Sequence, residues 1–355
     1  MRVSILDSVL REGVQSGRIS FSIEEKLAVA RKLDEFGVDY IEGGWPGSDE
    51  QDAEFFRRAR GVEFKNAKLV AFGPVRAQSR KAEEDPHLAA LAETGAPMAS
   101  VYANLMGITG DGVLKQRVAD SVAFLRKTFG EVIFDAANFF DAYEANAEAA
   151  VEVLWAARQS GAGLLVLCDS AGRTMPDRLG KVCDVVKAAV GGDLGIHAHN
   201  GCGLGLANTL EAVRQGFTHV QGTVNGYGAR NGVADLVAIL GNLARMGVET
   251  RCGGDASKLR DLASFVAGAA HVAVDPQQAF TGGGVSRNPT TLEHWISQYG
   301  FEGRLGVQAR RELADRVHQL ELGGYDLDAA DGTVELLLRQ AASPGVRPFE
   351  VGNYS

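Results

Sequence analysis

Residues 197–199 read His-Ala-His at the end of a short apolar run. On a β-strand, residues i and i+2 project to the same face. His197 and His199 can therefore reach one point while Ala198 turns away. Two imidazoles on a rigid element suit a divalent metal, although alone they also fit a pair satisfied inside a core. A third donor is needed, and Arg11-Glu12 offers a carboxylate beside a guanidinium. Two histidines and one carboxylate leave coordination positions open for a substrate. An ion held that way can polarise a carbonyl and grip a 2-oxo acid through its carboxylate and keto oxygens. The neighbouring guanidinium can stabilise an enolate or alkoxide as its charge develops. Together these groups suit making or breaking a carbon–carbon bond next to a carbonyl. Singly, Glu12 also reads as a surface cap and Arg11 as a solvated cation.

A frame must bring residues 11–12 to residues 197–199. Strand-like runs recur at 2–6, 38–42, 68–72, 98–102, 131–135, 163–168, 194–199 and 219–224. Stretches with a 3.6-residue apolar period lie between them. The first opens on Ser22-Ile23-Glu24-Glu25, a capping box, and carries Ile23, Leu27, Ala30 and Leu33 as its apolar stripe. It closes at Gly37, which leads into the next strand. Eight such units in about 250 residues predict a (β/α)8 TIM barrel over residues 1–250. A doubly wound sheet would carry a glycine-rich phosphate loop after its first strand, and none is present. Residues 251–355 read as a mostly helical C-terminal extension, packing on the barrel or on a partner subunit.

Barrel active sites form at the C-terminal ends of the strands. Those ends carry Asp7, Arg11, Glu12 and Gln15, then Glu42, Asn104, Asp135 and Asn138, then Ser170, His197, His199, Arg230 and Asn231. The first strand of a closed barrel lies beside the eighth and close to the seventh, so Glu12 is the carboxylate expected to join the histidines. Ser170 can donate a hydrogen bond to a substrate carboxylate, or cap a helix.

The 355 residues are 45% hydrophobic and 23% charged, with a net charge of −9. No basic block suggests a nucleic-acid surface. No apolar run approaches the roughly 20 residues that span a membrane. The N-terminus turns polar too soon for a signal peptide. The four cysteines lack C-x-x-C spacing and read as reduced thiols, so a cytoplasmic location is expected.

Residues 7–15, Asp-Ser-Val-Leu-Arg-Glu-Gly-Val-Gln, resemble the D-x-x-L-R-[DE]-G-x-Q opening of the DRE-TIM metallolyases. That group includes isopropylmalate, homocitrate and citramalate synthases and hydroxymethylglutaryl-CoA lyase. The H-x-H-N at 197–200 and the turn at 225–230 match it too. Residues 19–22, 39–48, 139–141, 167–170 and 329–338 look most like citramalate synthases. The resemblance implies that Glu12, His197 and His199 bind a divalent metal (Mg2+, Mn2+ or Zn2+), with Arg11 polarising the substrate. Ser170 would replace a substrate-binding threonine, and Gln15 retains the glutamine of the opening motif. The implied reaction is attack of an acetyl-CoA enolate, or that of another acyl-CoA, on a 2-oxo acid, followed by thioester hydrolysis. A homodimer is expected.

The chain also departs from that pattern. The family's D-A-E-H-F-F-D reads Asp-Ala-Ala-Asn-Phe-Phe-Asp at 135–141, so a carboxylate and an imidazole are absent. The asparagine that sits by the metal is replaced by Val233, with Asn231 a partial substitute. H-N-D becomes His199-Asn200-Gly201, and Asn104 lies in a stretch that in the family carries Lys and His. The H-K-x-G-x-H segment is missing, with residues 278–285 in its place. His271, His294 and His318 are candidate bases in the extension. Arg173 is a candidate contact for an extra anionic group, or an exposed loop arginine. A lyase that cleaves a hydroxy acid without CoA hydrolysis, and a non-catalytic binding protein, are the alternative readings.

Overall fold

The computed structural model describes residues 1–108, 110, 112–275, 277–281, 290–325, 327 and 331–343. Eight strands close into a parallel barrel: β1 (Ser4–Asp7), β2 (Tyr40–Gly44), β3 (Lys68–Pro74), β4 (Met98–Asn104), β5 (Glu131–Ala137), β6 (Leu164–Asp169), β7 (Asp193–Ala198) and β8 (His219–Gly222). β8 pairs back onto β1 with Asp7 opposite Gly222. This is the expected (β/α)8 barrel.

The elements form for local reasons. Ser22 accepts from Glu25 N at 3.2 Å, and the Glu25 carboxylate accepts from Ser22 N at 2.7 Å. That capping box starts the helix Ile23–Phe36, whose Leu27, Ala30 and Leu33 are buried. Gly37, at φ 97°, ends it in the left-handed region, where a side chain would be strained. Later helices run Val113–Leu125, some three to four residues earlier at each end than the 116–129 expected from the sequence, and Ala147–Gln159, one residue short of the expected 147–160.

β1 and β2 begin two residues later than their sequence patterns suggest. Arg2 forms only an isolated bridge to Glu249, and the left-handed Gly37 delays the second strand. β7 stops at Ala198. His199 instead makes an isolated antiparallel bridge with Val233 from the loop after β8.

The barrel interior is filled by Leu6, Val70, Met98, Ile133, Val166 and Cys168. Residues on the opposite strand faces, such as Ile5, Ile41, Phe134 and Leu167, pack beneath the helices. This apolar plug closes the barrel below the polar end and gives the site a rigid floor.

A buried ion pair ties two helices to the end of β2. Lys26, 1% exposed, reaches the Asp52 carboxylate, whose other oxygen accepts from Trp45 N at 2.7 Å. The helical period places Lys26 on the apolar stripe, three residues after Ile23 and four before Ala30, but gives no sign that Asp52 is its partner.

The chain divides into two compact units. The first comprises Met1–Val274 and Ala279–Thr281 and includes the helix Ala256–Ala269. The second comprises Asp275–Gln278 and Gly282–Ser355. Its described helices, Thr290–Gln298, Val307–Leu322 and Asp331–Ala342, share a core of Trp295, Ile296, Leu313, Val334 and Leu338. Among the described residues, no helix is long and apolar enough to cross a membrane.

Removing one partner of a buried ion pair strands the other charge. Lys26→Met should therefore lower the free energy of unfolding by about 3–5 kcal/mol. Urea unfolding followed by circular dichroism measures it, and a loss below about 1 kcal/mol would mean Asp52 needs no counter-ion there.

Candidate active site

The turn after β1 is wound tightly enough to point two adjacent charged side chains inward. Arg11 N and Glu12 N both donate to the Ser8 carbonyl, at 3.1 and 2.7 Å. Asp7 fastens that turn to β8 by accepting from Val9 N at 2.8 Å and Val224 N at 2.9 Å. Burial pushes the Asp7 carboxyl up to about 7 despite those two donors.

Arg11 is 8% exposed, so its charge needs partners. Its Nε donates to Glu42 at 2.6 Å, and its Nη1 pairs with Glu12. The Phe72 ring covers one face of the guanidinium at 3.9 Å. Phe72 stacks on Tyr102, and Trp45 meets both rings edge-on. Burial works against the Arg11 charge, but Glu42 and Glu12 outweigh it and hold the group above its ordinary value. Burial also pushes Glu42 up to about 7 against the pull of Arg11, and one of its oxygens has no partner. Glu12 fares differently. Burial raises it, yet Arg11 and the two imidazoles together bring it down to about 2.

Glu12, His197 and His199 meet as the sequence suggests. Their donor atoms all lie within 4.8 Å of one another, and all three residues are buried. Glu12 Oε1 is 3.8 Å from His199 Nε2. Desolvation, and then the neighbouring His197, push His199 down to about 3. Desolvation also lowers His197. Both imidazoles are therefore neutral near pH 7, the state that ligates metal. His199 Nδ1 is buried without a hydrogen-bond partner. Two neutral imidazoles and one ionised carboxylate fit a divalent cation.

Behind His197 lies a polar chain that the sequence motifs do not reveal. His197 Nδ1 meets Gln221 Oε1 at 2.9 Å, and Gln221 Nε2 donates to Asp135 at 3.0 Å. Ser100 Oγ donates to the other Asp135 oxygen at 2.5 Å. A polar residue at an inward position midway along a strand is the signal that could have exposed Ser100 and Gln221.

The remaining candidates lie on the rim. Asn104 is exposed and accepts from Asn138 Nδ2 at 2.9 Å. Asn138 N donates to Ser170 Oγ at 2.9 Å, and Arg230 donates to the Ser170 carbonyl. The Ser170 hydroxyl accepts there, so its proton remains for another partner. Gln15 is exposed on the turn Gly13–Ser16. Asn231 donates to the Gly201 carbonyl at 2.9 Å, joining the loops after β7 and β8. Arg173 is exposed and held by Asp141 at 2.6 Å. His271 is exposed and meets Glu25 at 2.9 Å. His318 is exposed in the second unit. The His294 side chain and residues 282–285 lie outside the described residues.

One departure from the family pattern has a steric reason. A Cβ at residue 201 would run into the Ala171 carbonyl oxygen, so the close approach of the β6 loop requires glycine there.

The segment 2–266 matches the HMGL-like family model. The chain is similar to the (R)-citramalate synthase of Aquifex aeolicus, 34% identical over 96% of this chain and 73% of that relative. It is likewise similar to the (R)-citramalate synthase of Streptomyces coelicolor, 34% identical over 99% of this chain and 74% of the relative. Among solved structures, the HMG-CoA lyase from Brucella melitensis superposes with a TM-score of 0.63. It is 20% identical, covering 76% of this chain and 99% of that one, a likeness of fold alone.

Neutral imidazoles compete little with protons. Affinity for Mn2+ or Zn2+ should change less than about threefold between pH 8 and pH 6, whereas two histidines of ordinary pKa would lose more than about tenfold. Calorimetric titration at the two pH values decides between them.

Proposed function

The chain belongs to the HMGL-like family, and from that premise we propose that it condenses acetyl-CoA, or another acyl-CoA, with a 2-oxo acid to a 2-alkylmalate-type product. The observation that carries this reading is Arg11, clamped by two carboxylates beside the Glu12–His197–His199 cluster. Similarity to relatives named (R)-citramalate synthase over nearly the whole chain supports it.

Glu12, His197 and His199 are assigned to a divalent ion, Mg2+, Mn2+ or Zn2+. Such an ion supplies Lewis-acid polarisation of the 2-oxo acid's keto group. The acetyl methyl group loses a proton, its carbon bonds to the keto carbon, and the keto oxygen gains negative charge and is then protonated. Water cleaves the thioester and CoA leaves as its thiol. A guanidinium has five N–H groups. Those of Arg11 at Nε and Nη1 serve Glu42 and Glu12, and among the described residues Nη2 meets no acceptor. Nη2 is assigned to the oxygen on which charge develops. Because the two carboxylates and Phe72 hold the guanidinium in place, little reorganisation is needed as that charge grows.

Ser170, with its uncommitted proton, is assigned to the substrate carboxylate. Gln15, Asn104 and Asn231 are assigned to the rim of the substrate pocket. Arg173 joins them only for a substrate anion that displaces Asp141. The family resemblance extends the proposal to a homodimer. Four free cysteines suit a reducing cytoplasm.

Cleavage of a hydroxy acid is the second reading, favoured by one observation: Ala137 and Asn138 stand where the family carries a carboxylate and an imidazole. Both readings are tested with acetyl-CoA, a panel of 2-oxo acids and a divalent ion. Thiol release should require all three components. Arg11→Ala should lower kcat by about 10²–10³-fold, the usual cost of losing a preorganised donor to a developing oxyanion. No thiol from any pairing, with a 2-oxo acid released from a hydroxy-acid panel, would favour the lyase.

A further inference from the structure

Four buried side chains form one line from β4 to β7: Ser100, Asp135, Gln221 and His197, at 0%, 4%, 1% and 5% exposure. The donor at each link follows from the one before. Ser100 Oγ donates to one Asp135 oxygen and Gln221 Nε2 to the other. The Gln221 amide turns its NH2 end to Asp135, the orientation an ionised carboxylate requires. Its carbonyl Oε1 is thereby turned to His197 Nδ1 at 2.9 Å. An amide oxygen cannot donate, so Nδ1 must carry the imidazole proton.

We propose that Gln221, locked by Asp135 and Ser100, is a positioning residue that fixes His197 in the Nδ1–H tautomer and leaves Nε2 with its lone pair for the metal. This rests on the assignment of His197 as a metal ligand. His199 lacks such a partner, because its Nδ1 has none. His197 is thus the preorganised ligand of the pair. An outer partner that sets ring orientation and tautomer typically accounts for about 10–100-fold in metal affinity.

Two variants test this. Gln221→Met keeps the volume of the side chain but removes the acceptor. It should weaken Mn2+ or Zn2+ binding about 10–100-fold, and should leave metal-free His197 in a mixture of tautomers. The pair Gln221→Glu with Asp135→Asn moves the carboxylate one place along the line. The amide then at position 135 can still accept from Ser100 and donate to the carboxylate at position 221, which still accepts from His197. Its affinity should return to within a few fold of the parent. Packing alone would not produce that rescue.

Tautomers are read on the metal-free protein by 15N NMR of labelled histidine, and affinities by calorimetry. The parent should show a protonated Nδ1 and a bare Nε2 at His197. A proton on Nε2 in the parent, or Gln221→Met binding as tightly as the parent with its tautomer unchanged, overturns the proposal. A parent protein with the expected tautomer that binds no divalent ion overturns the metal assignment and leaves the locked tautomer standing.

Discussion

The site depends on a buried positive charge. Arg11 cannot sit at 8% exposure without compensation, and the barrel supplies it from two directions, Glu12 beside it and Glu42 from β2. That requirement organises much of the polar end. It holds Glu12 ionised and aimed at the histidines, keeps a carboxylate at the end of β2, and lays the guanidinium on Phe72. The Lys26–Asp52 pair anchors the β2 loop from behind through Trp45 N. Charge pairing thus couples the first three strands into one rigid corner, and β7 completes it with His197 and the adjoining His199.

A second constraint is satisfaction of polar groups away from water. His197 has its partner in Gln221, and Gln221 has its own in Asp135. The loops after β6, β7 and β8 interlock through backbone contacts: His199 N on the Asp169 carbonyl, Asn200 N on Gly232, Cys202 N on Gly172. Those bonds hold the His199 end of the site although it has left the strand. The rim is built differently. Asn104, Asn138 and Ser170 share hydrogen bonds among neutral groups. The buried cluster of Glu12, His197 and His199 is charged, whereas these rim residues are neutral, so the two differ in chemistry.

Much of this was legible in the sequence because it rests on periodicity. Alternating strand and helix patterns reveal a barrel, and H-x-H on a strand end with Arg-Glu after the first strand brings Glu12, His197 and His199 together. The support behind that corner was harder to see. Ser100 and Gln221 are buried polar residues at strand positions, and Lys26 is a charge on the apolar stripe of its helix, yet none of these patterns names the partner. Their roles come from partners distant along the chain, 86 residues between Asp135 and Gln221 and 26 between Lys26 and Asp52. Local pattern cannot report such pairings. Gly201 is similar: its need for glycine comes from the Ala171 carbonyl on another loop.

The central claim is that one divalent ion sits among Glu12, His197 and His199 and presents a 2-oxo acid to Arg11. Anomalous diffraction at the manganese edge, from crystals grown with Mn2+ and a 2-oxo acid, tests it most directly. The account predicts a single strong peak bonded to those three side chains, with the keto oxygen of the acid within hydrogen-bond reach of Arg11 Nη2. A peak elsewhere, or an acid bound away from Arg11, would contradict it.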